Sequence, residues 1–105
     1  MTPEGRIKAK LRKELDKLPK RYIFMAVQQG LGASTLDYLC CINGRFVGIE
    51  TKSGPNKKLT ARQVVVSNQI RMAGGVVYTV DSEEAITAVM ARLWLLMEFG
   101  EEMKK

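Results

Sequence analysis

Asn43-Gly44 stands between two apolar runs, residues 36–42 and 45–51, and this arrangement restricts the chain more than any other feature. An Asn-Gly pair between strands is the preferred two-residue type I′ hairpin turn, because both positions accept positive φ. A two-residue turn also sets the register of the strands it joins. Ile42 then faces Arg45, Cys41 faces Phe46 and, counting back, Asp37 faces Glu50. Directly opposed residues share a face of the sheet, and side chains alternate along a strand, so Lys52 joins Glu50 on that face. Tyr38, Ile49 and Thr51 are expected on the other face.

The remaining segments supply layers for this hairpin. Thr2 as N-cap and Pro3 at the first helical position open a helix that Pro19 ends. Ile7, Leu11, Leu15 and Leu18 form its apolar stripe, and Arg6, Lys10, Lys13 and Lys17 form a basic stripe beside it. Residues 22–27 read as a strand, followed by a Gly-rich loop. Thr60-Ala61-Arg62-Gln63 fits a capping box opening a helix with Val66, Ile70 and Ala73 on one face, and Gly74-Gly75 stops it. Residues 76–80 are a β-branched strand. Asp81 and Glu84 mark the start of a long helix over residues 82–99. The order α-β-β-β-α-β-α predicts one α/β domain over residues 1–105, with helices packed on a mixed sheet.

Composition narrows the function classes. At 46% hydrophobic residues the chain has enough apolar material for a core. No apolar run approaches the ~20 residues needed to cross a bilayer, and the first ten residues carry no signal core. A cytoplasmic protein with no membrane partner is therefore expected. Cys40 and Cys41 are adjacent, which suits free buried thiols in a reducing compartment rather than an ordinary disulfide. The chain has no histidine, which excludes His-dependent triads and argues strongly against a structural zinc site. Its formal net charge of +6 favours a polyanionic partner such as nucleic acid.

Asp37, Glu50 and Lys52 are the candidate chemistry. A Glu-x-Lys on a strand also fits a solvated sheet face with a weak surface ion pair. The opposed Asp37 favours a site, because two carboxylates facing each other across a ladder repel unless a cation sits between them. Magnesium takes one or two carboxylates plus water and phosphate oxygens, and the Thr51 carbonyl can add another oxygen. Lys52 beside such an ion can orient a water or stabilise charge on a phosphate. Glu4 and Gln63 each sit one turn before an apolar stripe. Helix-start electrostatics and capping account for them, as does an approach of both helix ends to the carboxylate face.

These residues resemble the VRR-NUC domain, the virus-type replication and repair branch of the PD-(D/E)XK nuclease superfamily. The stretches that carry the resemblance are Gly30-Leu31-Gly32-Ala33-Ser34-Thr35-Leu36-Asp37, Gly48-Ile49-Glu50-Thr51-Lys52-Ser53-Gly54, Leu59-Thr60-Ala61-Arg62-Gln63 and Gly74-Gly75-Val76-Val77. It implies a restriction-endonuclease-like α-β-β-β-α-β core, here with a C-terminal helix added. It implies a Mg²⁺ (or Mn²⁺) ion on Asp37, Glu50 and the Thr51 carbonyl, and a catalytic Lys52. It also implies that Glu4, on the metal side, and Gln63, on the catalytic side, support the site. Leu36 departs from the family, which usually has proline there; proline shapes the backbone and supplies no ligand.

The resemblance extends to small phage nucleases and Holliday-junction resolvases, which implies a structure-selective endonuclease acting on branched or flapped DNA in a phage host or bacterial cytosol. Arg6, Lys10, Lys13, Lys17, Ser34, Lys57 and Lys58 are the candidate DNA contacts. The alternatives are a catalytically inactive nucleic-acid-binding module of the same fold, and a basic structural protein without metal. On the last helix, Ala88, Leu95 and Phe99 lie roughly opposite the core stripe of Ile86, Val89, Met90, Leu93, Leu96 and Met97. That second apolar side predicts a homodimer.

Overall fold

The structure, a computed structural model, describes residues 2–26 and 35–103, the side chains of 100–103 excepted. Seven elements follow in order: α1 (Pro3–Leu15), β1 (Arg21–Met25), β2 (Tyr38–Ile42), β3 (Arg45–Thr51), α2 (Ala61–Met72), β4 (Val76–Val80) and α3 (Glu83–Met103). The four strands form one sheet in the order β1-β2-β3-β4. β1, β2 and β3 pair antiparallel, and β4 joins β3 in parallel. The result is a mixed α/β architecture with a restriction-endonuclease-like core and a C-terminal helix.

Local chemistry accounts for the element ends. Asn43 (φ 47°) and Gly44 (φ 83°) both have positive φ, as a type I′ turn requires. The ladder pairs Ile42 with Arg45 and Tyr38 with Ile49, the register expected from the turn. Thr2 caps α1 by accepting from the Gly5 amide. At the end of α2, Gly74 (φ 95°) follows the C-cap Ala73. The Gly75 amide donates to Ile70 O and the Gly74 amide to Arg71 O, the paired bonds of a Schellman motif.

Several boundaries differ from the sequence expectation. α1 stops at Leu15, one turn before Pro19, because the chain tightens there: the Leu18 amide donates to Leu15 O. Leu18 is nevertheless fully buried. β2 starts at Tyr38 rather than 36, and β1 ends at Met25; Val27 lies outside the described residues. The cap of α3 is Ser82 rather than Asp81, since Ser82 Oγ accepts from the Ala85 amide. Phe99 has non-helical φ/ψ (−122°, 26°), so the regular part of α3 ends where expected and a further turn follows a kink. Cys40 is buried, but Cys41 is exposed.

The main core lies between the sheet and the α1–α3 pair, where Leu11, Leu15, Val47, Ile49, Leu93 and Leu96 pack together. α2 covers the opposite face over β3 and β4. It approaches closely because of Gly48: a Cβ there would stand 2.8 Å from Leu36 Cδ1 and 3.1 Å from Ile70 Cδ1. Leu36 is thus a buried packing residue. Gly48 is two residues before Glu50 and on its face, so this contact sets the height of α2 above the carboxylates.

Candidate active site

Asp37 and Glu50 meet at the end of the β2–β3 ladder. Both are buried, at 9% and 3% relative exposure. The Asp37 amide donates to Glu50 Oε1 at 3.0 Å. Asp37 precedes β2, so the pleat does not dictate where its carboxylate goes. Its Oδ2 accepts from the Thr51 amide (2.9 Å) and the Thr51 hydroxyl (2.6 Å), taking the place of the next ladder residue. The Thr51 side chain was expected to face away from this group; the free rotation of Asp37 outside the strand brings the two together. Lys8 of α1 reaches the other oxygen, Oδ1, at 3.4 Å.

Gln63 connects the capping box of α2 to the carboxylates. Thr60 Oγ1 accepts from the Gln63 amide, and the Thr60 amide donates to Gln63 Oε1 at 2.9 Å. That second bond turns the Gln63 side chain so that Nε2 faces Glu50 Oε2, to which it donates. Gln63 Oε1 also accepts from Lys52 Nζ at 2.9 Å. Lys52 follows β3 directly, and its amide extends the sheet by donating to Val80 O. Its ammonium lies 3.5 Å from Glu50 Oε2.

Burial, and then the neighbouring Asp37 charge, push the Glu50 carboxyl above its ordinary pKa; the Asp37 amide and Lys52 oppose this. Burial pushes the Cys40 thiol up to about 12, which disfavours the reactive thiolate.

The other sequence candidates divide between two places. Glu4, Lys57 and Lys58 line a groove of about 420 Å³ with Lys52, Ser53 and Asn56. Lys10, Lys13 and Lys17 instead line a groove between α1 and α3 with Glu14, Glu83, Ile86 and Thr87. Lys10 pairs there with Glu83, and Lys17 with Glu14. Arg6 is exposed and makes no ion pair among the described residues. Ser34 lies outside the described residues. Lys8 and the Thr51 hydroxyl were not anticipated. Lys8 stands four residues after Glu4, a spacing that puts the two on one helix face, but only the packing of α1 on the sheet brings Lys8 to Asp37.

A solved structure described as a VRR_NUC domain superposes on this chain with a TM-score of 0.66 and 21% sequence identity, covering 93% of this chain and 97% of that one. The chain has the VRR_NUC fold. No family model and no curated protein matches the sequence. Asp37, just before β2, and Glu50, on β3, are the donor set that decides whether a divalent cation suits the site. Two buried carboxylates offer oxygens only, and Glu50 is destabilised in its charged form by burial and by Asp37. A hard cation would relieve both effects. The residues fit such an ion, with backbone or water oxygens completing it. Among the described residues no group of three acidic, Cys or His side chains is close enough to hold a metal, so Glu4 belongs to the groove rather than to a three-acid cluster. No helix among the described residues is long and apolar enough to cross a membrane.

Proposed function

We propose that this chain is a Mg²⁺- or Mn²⁺-dependent endonuclease that hydrolyses DNA phosphodiester bonds, selecting branched or flapped DNA. The observation that carries the reading is the joining of Asp37, Glu50, Gln63 and Lys52 by direct hydrogen bonds and an ion pair. A surface salt bridge needs none of this support, and a solvated sheet face would not bury both carboxylates. Asp37 and Glu50 would hold the ion, with the Thr51 carbonyl adjoining them. Once bound, the ion supplies Lewis-acid polarisation of the phosphate and lowers the pKa of a coordinated water.

The chain's own residues do the remaining work. Lys52, fixed by Gln63 Oε1, presents a positive charge where negative charge grows on the phosphate. Gln63 keeps that ammonium and Glu50 in a set relation through its two amide ends. Lys57 and Lys58, along the same groove, hold the DNA backbone by phosphate charge and read no base sequence. In the overall reaction water adds to phosphorus and one P–O ester bond breaks, leaving a phosphate on one product and a hydroxyl on the other.

We also propose a homodimer. Leu95 and Phe99 are 44% and 42% exposed on one side of α3. A second copy would cover that patch and place two sites for paired nicks. Incubation of flaps, forks, four-way junctions and linear duplex with Mg²⁺ or Mn²⁺ tests the substrate. Preferential cleavage of a branched species is the expected result. Binding without cleavage of any of them would leave a DNA-binding module.

A further inference from the structure

Asp37 has a cationic partner that the proposed chemistry leaves unused. Asp37 Oδ2 is taken by the Thr51 amide and hydroxyl, and Lys8 Nζ occupies the remaining oxygen at 3.4 Å. Glu50 has its own lysine, Lys52, at 3.5 Å. Two buried carboxylates are thus matched by two lysines from different elements. The lysines are held very differently. The Lys52 side chain is 14% exposed and anchored on Gln63. The Lys8 side chain is 33% exposed, and its ammonium has no other ion pair or hydrogen bond among the described residues.

We propose that Lys8 is an exchangeable counter-ion, which neutralises Asp37 in the cation-free protein and withdraws from Oδ1 when a divalent cation binds. This rests on the reading of Asp37 as a metal ligand. An ammonium and a divalent cation on one carboxylate oxygen repel each other strongly. A partly exposed ion pair is weak, and lysine has a flexible four-carbon stem, so Lys8 is the partner that yields. Glu4, one helical turn earlier on the same face of α1, gives the released ammonium a nearby carboxylate. The competition lowers the affinity for free cation, so full occupancy needs the extra oxygens of a substrate phosphate.

The test is calorimetric titration of Mn²⁺ alone into wild type, Lys8→Met, Lys8→Arg and Asp37→Asn, with melting temperatures recorded in chelator. Lys8→Met is expected to bind Mn²⁺ about two- to fivefold more tightly, the range that loss of one partly exposed ion pair allows. It should also melt lower without metal. Lys8→Arg should bind like wild type. Lys8→Gln carries the same expected sign if the methionine variant does not fold. An unchanged Mn²⁺ affinity with a lowered melting temperature marks a merely structural lysine and overturns the proposal. If wild type binds no Mn²⁺, or Asp37→Asn binds as wild type does, the metal reading itself fails, and the exchange with it.

Discussion

Lys52 Nζ donates to Gln63 Oε1 at 2.9 Å, a closer contact than its 3.5 Å approach to Glu50 Oε2. The lysine of the Glu-x-Lys motif is therefore positioned by a helix cap, and two variants of that cap separate stability from positioning. Thr60→Ala removes the N-cap acceptor and should cost about 1 kcal/mol. It leaves Gln63 in place, so cleavage should stay near wild type. Gln63→Ala removes the hold on Lys52 and Glu50 as well, and cleavage should fall roughly ten- to hundredfold. Thermal melts and single-turnover cleavage on both variants check this; equal activity losses would contradict it.

The buried Glu50 carboxylate makes the metal-free protein pH-sensitive. Its folded-state pKa is raised, first by burial and then by Asp37. A raised carboxyl pKa means the folded state binds that proton more readily than the unfolded state. Its stabilising contribution is present below the ordinary carboxylate value and is lost as pH rises through the folded value. Glu50→Gln removes this titration. In chelator, the stability of Glu50→Gln relative to wild type should rise with pH above the ordinary carboxylate range, whatever constant offset its altered hydrogen bonds add. Denaturant melts across pH measure it; a flat difference would contradict the assignment.

The basic residues should not contribute equally to DNA binding. Lys57 and Lys58 lie on the groove with Lys52, whereas Lys10 and Lys17 are paired with Glu83 and Glu14. Neutralising Lys57 or Lys58 should lower the salt slope of binding by about one each. Neutralising Lys10 or Lys17 should change it much less. Fluorescence anisotropy across salt concentrations resolves the two groups, and a larger effect at Lys10 would place the DNA across α1 and α3.

For the homodimer, light scattering at micromolar concentration should give about twice the 11.8 kDa of one chain. Leu95→Glu with Phe99→Glu should split it. A dimer indifferent to that change would put the interface elsewhere, and Tyr22 (67% exposed) with Phe24 (51%) on β1 is another exposed apolar pair among the described residues. A monomer would end the proposal.

Much of the fold was legible because its strongest signals are local. Asn43-Gly44 dictates the turn and so the ladder register from Ile42–Arg45 to Tyr38–Ile49, and Thr60 with Gln63 dictates where α2 starts. What the pattern could not supply is the behaviour of side chains outside regular elements. Asp37 lies before β2, so no alternation rule predicts that its carboxylate turns to the Thr51 hydroxyl. Lys8 looks like one more surface lysine until the packing of α1 on the sheet brings it to Asp37. The basic stripe of α1 is visible as a stripe, but its pairing with Glu83 depends on how α1 crosses α3.

The most direct measurement compares wild type with Glu50→Gln on one branched DNA substrate at fixed Mn²⁺, recording binding and cleavage separately. Wild type should cleave only with the metal present. Glu50→Gln should bind the DNA with little change and cleave more than about a hundredfold more slowly, the loss that follows removal of one key charge at a reacting centre. Cleavage by Glu50→Gln at the wild-type rate, or wild-type cleavage undiminished in chelator, would contradict the account.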